Sequence, residues 1–135
     1  MRKHITQSEA PDAIRARREF KASGLSGRIV DAYNTLYGDL PDEWQERFRQ
    51  AYRDSRHDRR LYAVFSFETP IAWMLGDVLT FPEVRYSPTT TQHQQIAAQG
   101  FDLDPVRPWM WPRVVPVDQY AGRSWQSREW GWDAR

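Results

Sequence analysis

The chain has 135 residues, a length that suits one domain with a single hydrophobic core. Its formal net charge of +1 excludes the strong positive field of a duplex-DNA-binding protein, and the absence of cysteine excludes disulfides, thiolate zinc sites and a cysteine nucleophile. Seven tryptophans and 40% hydrophobic residues are too many for a disordered chain. No apolar run is long enough to cross a membrane and no signal sequence is evident, so we expect a cytoplasmic protein that does not contact a membrane.

The first forty residues predict a flexible start followed by helical segments. Residues 1–10 are polar, and we expect them to be flexible. Apolar residues spaced three to four apart predict a short helix over 11–20, ended by Gly24 and Gly27. Residues 28–37 fit either a helix or a strand, and the spacing of their apolar residues slightly favours a helix.

The clearest helix is predicted over 41–55. Pro41 suits the first helical position, and Trp44 and Phe48 lie on one apolar face. Arg53, Arg56, Arg59 and Arg60 cluster near its carboxyl end, where the helix dipole favours cations.

Three strands follow, and they predict a three-stranded antiparallel meander. Residues 61–67 are apolar on both faces, which indicates a central strand covered on both sides. A turn at 68–70 leads to a second strand over 71–75, and Gly76-Asp77 suits a hairpin loop. The third strand is predicted over 78–86, where Pro82 restricts it to an edge or breaks it.

One short helix is predicted after the sheet, and the chain then changes character. Thr89 or Thr91 has the spacing of a capping residue for a helix of about two turns that ends at Gly100. Residues 102–135 are rich in proline and tryptophan, which predicts an extended tail that wraps the domain or a partner. The predicted fold class is therefore α+β, with an α+β domain at 11–101 between the flexible N-terminus and this tail.

Two blocks of sequence are distinctive. They read Thr-Pro-Ile-Ala-Trp at 69–73 and Tyr-Ser-Pro-Thr-Thr-Thr-Gln-His-Gln at 86–94, and Gly38-Asp39-Leu40-Pro41 lies upstream of both. In these blocks the chain resembles a domain-of-unknown-function family of small proteins from actinobacteria and their phages. The resemblance implies such an origin, with which the excess of arginine over lysine agrees, and it implies no activity.

The strongest titratable candidate is His93, in the first turn of the predicted last helix. Helix N-termini bind anions, so Arg85, Thr90, Thr91 and His93 could together hold a phosphate or carboxylate. The alternative is structural: the threonines cap the helix and His93 bonds back to the sheet. A Glu68–His57 acid–base pair has no supporting spacing, and the three histidines lack the spacing of a metal site. We therefore predict no catalytic residue, no metal and no cofactor.

The tail offers the best candidate for partner binding. Its tryptophans alternate with arginines, a composition found at protein interfaces and on single-strand-binding surfaces. The five tryptophans are Trp109, Trp111, Trp125, Trp130 and Trp132. Interspersed acidic residues weaken the nucleic-acid interpretation. The sequence thus predicts a non-catalytic protein-interaction protein, phage-encoded, that binds a host or phage protein; the alternatives are a single-stranded nucleic-acid-binding protein and a small enzyme that uses His93.

Overall fold

The structure is a computed structural model, and it describes residues 3–31, 37–76, 78–82, 84 and 86–102. Within these residues the chain forms one six-stranded mixed sheet and three α-helices, and a short 3-10 turn spans Gln7–Glu9. The elements in chain order are β1 (Lys3–His4), α1 (Ala10–Arg15), β2 (Phe20–Ala22), β3 (Leu25–Ile29), α2 (Asp42–Asp54), β4 (Leu61–Ser66), β5 (Thr69–Leu75), β6 (Val78–Thr80) and α3 (Pro88–Gly100).

The strands lie in the sheet in the same order as in the chain. β1 pairs with β2 in parallel, and every later pair is antiparallel. β4 lies between β3 and β5 and is buried at all six positions, which confirms the prediction of a central strand covered on both faces. A register shift at Val64/Phe65 marks a bulge just before the β4–β5 turn.

Helices cover both faces of this sheet. α1 and α3 pack on one face, where Ile14, Val64 and Ala97 belong to one apolar core. α2 packs on the other face, where Trp44, Phe48, Leu61, Phe65 and Trp73 form a second core rich in edge-to-face ring contacts. The alternation of β4 explains this division, because its odd-numbered residues face α2 and its even-numbered residues face α3.

The prediction of a three-stranded meander was wrong, because β4, β5 and β6 are only half of the sheet. Gly24, expected to end a helix, instead has φ +69° in the turn that joins β2 to β3. Gly27 lies within β3, where the Phe20 ring and the Tyr62 hydroxyl occupy the space that a side chain would need. Both glycines therefore serve a hairpin, and the predicted helix over 11–20 is confined to Ala10–Arg15.

The other element boundaries differ by smaller amounts. The helix predicted over 41–55 is confirmed as α2. β6 ends at Thr80 instead of 86, before Pro82. The N-cap of α3 is Ser87, two or four residues before the predicted Thr89 or Thr91, and the helix has 13 residues instead of about two turns. The helix slightly favoured over 28–37 is wrong at its start, because residues 28 and 29 end β3. Residues 32–36 lie outside the described residues, and so does the predicted tail after Asp102.

Candidate functional site

A buried polar network connects α3 to the sheet. Ser66, the last residue of β4, lies with its Oγ 2.7 Å from Nδ1 of His93 and 3.0 Å from Oγ1 of Thr90. The Gln7 side chain reaches the same histidine from the N-terminal segment, with its Nε2 3.3 Å from Nε2 of His93, and it donates to the Ser23 carbonyl at 2.8 Å. Both ring nitrogens of His93 therefore face protein groups.

Burial determines the protonation behaviour of this histidine. Only 1% of His93 is exposed, and loss of hydration lowers the pKa of its imidazole, against a smaller opposing effect of the Ser23 carbonyl. His93 is therefore held neutral at pH values where an exposed histidine begins to take up a proton. A neutral ring that bridges Ser66 and Gln7 joins three separate parts of the chain.

The N-terminus of α3 is capped from within the chain. Ser87 Oγ accepts from the Thr90 amide at 3.3 Å, and the Ser87 carbonyl accepts from the Thr91 amide at 2.8 Å. Of the four residues predicted to hold an anion, Thr90 and His93 are brought together, and they meet at Ser66. Thr91 is half-buried on the same turn, and Arg85 lies outside the described residues.

The remaining candidates are separated or lie beyond the described part of the chain. Glu68 and His57 lie on the turns after and before β4, so the strand's length separates them. The five predicted tail tryptophans all fall outside the described residues. Within the described ranges no three histidine, cysteine or acidic side chains cluster as metal ligands, and no helix is long and apolar enough to cross a membrane.

The turn between β4 and β5 presents an exposed aromatic residue that the sequence did not predict. Phe67 has φ +55°, a left-handed conformation that is costly for a bulky side chain, and 65% of the residue is exposed. Its amide donates to the Gly24 carbonyl at 2.7 Å, and its ring lies against Gly24, where an added Cβ would be 2.7 Å from Phe67 Cζ. The ring centroid lies 5.8 Å from that of His93. In the sequence Phe67 continues the alternation of β4, so no local signal distinguishes it.

We call the surface around this ring the turn surface, formed by Gln7, Ser23, Gly24, Phe67 and Glu68. Its exposed aromatic ring lies beside a glycine and near polar groups of the adjoining segments. Comparisons of the chain with family models, with curated proteins and with solved structures found no match. Function is therefore inferred from the chemistry of the protein's own surfaces.

Proposed function

We propose that the protein is a non-catalytic protein-interaction protein that binds its partner through the turn surface. The observation that carries this proposal is the conformation of Phe67. Tight turns place glycine or asparagine in the left-handed region at little cost, whereas an aromatic residue there costs on the order of 1–3 kcal/mol. A chain that needs only a turn gains little from an exposed phenylalanine at this position, but a binding surface gains an anchor.

The ring of Phe67 is also held in place before any partner arrives. It lies on Gly24, where no side chain intervenes, and the bond from the Phe67 amide to the Gly24 carbonyl fixes the backbone beneath it. An anchor that is already ordered loses little conformational entropy on binding. Aromatic side chains surrounded by polar residues that exclude water are typical of the energetic centres of interfaces.

Within this proposal the buried network has a supporting role. His93, Ser66 and Gln7 fix α3 and the N-terminal segment beneath the turn surface, and the His93 ring underlies Phe67. Such a network rigidifies the part of the fold that presents the anchor. The geometry therefore favours a structural role for His93 over a catalytic one.

The family resemblance and the tail extend the proposal. The resemblance at 69–73 and 86–94 supports an actinobacterial or phage origin, and hence a host or phage protein as the partner. The tail tryptophans, Trp109 and Trp111 among them, remain predicted as further contacts of that partner. Single-stranded nucleic-acid binding rests on the same tail and remains the alternative, which nuclease treatment tests.

The test is a quantitative pull-down from nuclease-treated actinobacterial lysate with the full-length chain. We compare the wild type with Phe67→Gly, with Trp109→Ala/Trp111→Ala, and with Gln92→Ala as a control on an exposed position of α3. Glycine is chosen at 67 because it accepts the left-handed backbone.

We expect a stoichiometric protein in the wild-type and control samples, reduced about thirtyfold or more by Phe67→Gly, as for a central anchor worth about 2 kcal/mol. Equal capture by Phe67→Gly would show that the turn surface is not the interface. Capture of nuclease-sensitive material alone would transfer the proposal to nucleic acid. Loss of capture only in the tryptophan variant would assign the interface to the tail.

A further inference from the structure

A second surface lies at the opposite end of β4 and is unrelated to the turn surface. A cleft of about 450 Å³ opens between the carboxyl end of α2 and the adjoining ends of β3 and β4. Its walls carry Arg53, Arg56, His57 and Arg60, and Asp31 contributes the single carboxylate among its lining residues. Its volume is within the range of pockets that hold small organic ligands.

The arginines of this cleft differ in how they are used. Arg53 donates through Nη2 to Glu46 Oε2 at 2.7 Å and to Gln50 Oε1 at 2.8 Å, so its charge is already paired on the surface of α2. Arg56 and Arg60 are exposed, and within the described part of the chain neither side chain donates a hydrogen bond or forms an ion pair. Two guanidinium groups thus line the cleft, and their N–H donors are available to a ligand.

The helix dipole explains Arg53 but not these two residues. Favourable interaction of a cation with a helix end falls off within the last turn. α2 ends at Asp54, Ser55 is extended, and Arg56 and Arg60 follow beyond it. The helix dipole therefore does not account for the place of these two arginines at the cleft.

The backbone holds both residues in a fixed frame. Arg56 and Arg59 close a tight turn with two hydrogen bonds, of 2.9 and 3.0 Å, between their amides and carbonyls. The Arg60 carbonyl accepts from the Gly76 amide at 3.2 Å. Next to it, the Leu61 carbonyl accepts from the Val30 amide at 2.8 Å, which joins β4 to the residue after β3 beside the cleft. The guanidinium groups thus extend from rigid backbone.

We propose that this cleft binds a small phosphate monoester, with Arg56 and Arg60 holding the phosphate. A phosphate monoester carries a charge of about −1.5 to −2 at pH 7 and three acceptor oxygens, which match two planar forks better than a carboxylate does. Asp31 disfavours purely anionic ligands and offers an acceptor to a hydroxyl or amine of the ester. Ile29 and Tyr52, which line the cleft and are partly exposed, supply apolar surface for its organic part.

Arg59 provides a matched control within the same turn. Its side chain runs towards Gly76, where an added Cβ would lie 3.3 Å from Arg59 Cγ, and it is absent from the cleft lining. Replacing Arg59 removes the same charge at nearly the same place in the chain. It therefore separates contact in the cleft from the general electrostatic field.

The experiment is isothermal titration calorimetry of the full-length chain at low ionic strength. The probes are inorganic phosphate, a ribonucleoside 5′-monophosphate, the matching unphosphorylated nucleoside and a series of 5′-phosphorylated oligonucleotides of increasing length. We expect the monophosphate to bind, inorganic phosphate to compete with it, and the nucleoside to bind at least tenfold more weakly. Arg56→Gln and Arg60→Gln should each weaken monophosphate binding by about ten- to hundredfold, and Arg59→Gln by less than twofold.

Three results would overturn the proposal. An Arg59→Gln loss equal to that of Arg60→Gln would show a diffuse field instead of a site. Absence of binding by both inorganic phosphate and the monophosphate at millimolar concentration would leave the cleft without the proposed ligand class. An affinity that rises with oligonucleotide length would indicate nucleic-acid binding instead of a small ligand. Thermal unfolding of each variant verifies that the exposed substitutions leave the fold intact.

Discussion

Phe67 contributes little to the stability of the fold, and its proposed contribution is to binding. Its left-handed backbone is unfavourable, its ring is largely exposed, and the ring lies against Gly24 and is tilted towards His93. The fold therefore gains little from the side chain and loses free energy to the backbone. A residue with this balance is better explained by what it contacts outside the chain.

The left-handed backbone at position 67 predicts different stabilities for two substitutions of Phe67. Phe67→Ala loses the ring contacts and keeps the backbone strain, whereas Phe67→Gly loses the contacts and relieves the strain. We expect the glycine variant to have a free energy of unfolding about 1–2 kcal/mol above that of the alanine variant, measured by urea denaturation. A glycine variant less stable than the alanine variant would mean that the left-handed backbone at position 67 does not carry the proposed strain.

His93 predicts a pH dependence of stability. Burial places its folded-state pKa below the ordinary value near 6.5, so the unfolded chain takes up a proton more readily than the folded chain. The stabilisation is complete above pH 6.5 and is lost as the pH falls towards the folded-state pKa, with a slope of at most about 1.4 kcal/mol per pH unit.

The check is urea denaturation between pH 7.5 and 5 for the wild type and His93→Asn. Asparagine retains a polar group near the position of Nδ1 but does not titrate. We expect its stability profile to be flatter than that of the wild type below pH 6.5. Parallel profiles would assign the acid sensitivity to other groups.

At the scale of elements, the N-cap of α3 predicts how two substitutions change the free energy of unfolding. Ser87 Oγ accepts from the Thr90 amide, while Thr89 is exposed inside the first turn. Ser87→Ala should lower the free energy of unfolding by about 1 kcal/mol, because it leaves that amide without its cap. Thr89→Ala, at a position that the sequence favoured as the cap, should be neutral or slightly stabilising, since alanine suits a helix better. Equal losses in both variants would contradict this assignment of the cap.

The elements also show where the sequence was informative. α2 and β4 were predicted closely because each is long and its apolar residues follow a single period, with Trp44 and Phe48 on one helical face and a strand buried throughout. The β2–β3 hairpin was missed because its strands have three and five residues and Gly27 occupies a core-facing position. A glycine there shows no hydrophobic signal, and only the packed Phe20 ring explains it.

The candidate sites depended on contacts that no local pattern contains. His93 was identified from its place near a helix start, but its partners come from positions 27 and 86 residues away in the sequence, Ser66 and Gln7. The sequence alone predicts the four clustered arginines as charges at a helix end. In the structure Arg53 is paired on α2, Arg59 runs towards Gly76, and Arg56 and Arg60 line the cleft beside the end of β3 without a side-chain partner among the described residues.

At the scale of the whole molecule, β4 separates the two proposed surfaces. The turn surface follows its last residue, Ser66, and the arginine cleft precedes its first, Leu61. Six residues of strand span about 20 Å. Sites this far apart with no shared partner are expected to behave additively.

This separation predicts independence of the two binding activities. Phe67→Gly should leave monophosphate affinity within about twofold of the wild type, and Arg60→Gln should leave partner capture unchanged. The same calorimetry and pull-down measurements test both. Loss of partner capture in Arg60→Gln but not in Arg59→Gln would show that the cleft and the turn surface contact one partner.

The last prediction concerns the proline- and tryptophan-rich segment after Asp102. Phe101 is the last member of either apolar core within the described residues, and Asp102 joins the end of α3 to α1 through Arg15, with the Arg15 Nε 3.4 Å from Asp102 Oδ1. We therefore expect a chain ended after Asp102 to unfold cooperatively, with a midpoint within a few degrees of the full-length value.

Removal of the segment leaves Trp44 and Trp73, both buried in the core beneath α2 with ring centroids 6.5 Å apart. Their emission should be blue-shifted in the native state and should shift to the red in one transition with heat or urea. Partner capture should fall while this fold persists, if the five deleted tryptophans contact the partner. A red-shifted, non-cooperative truncation would instead make the segment part of the protein's own core, because only lost packing would expose both remaining rings.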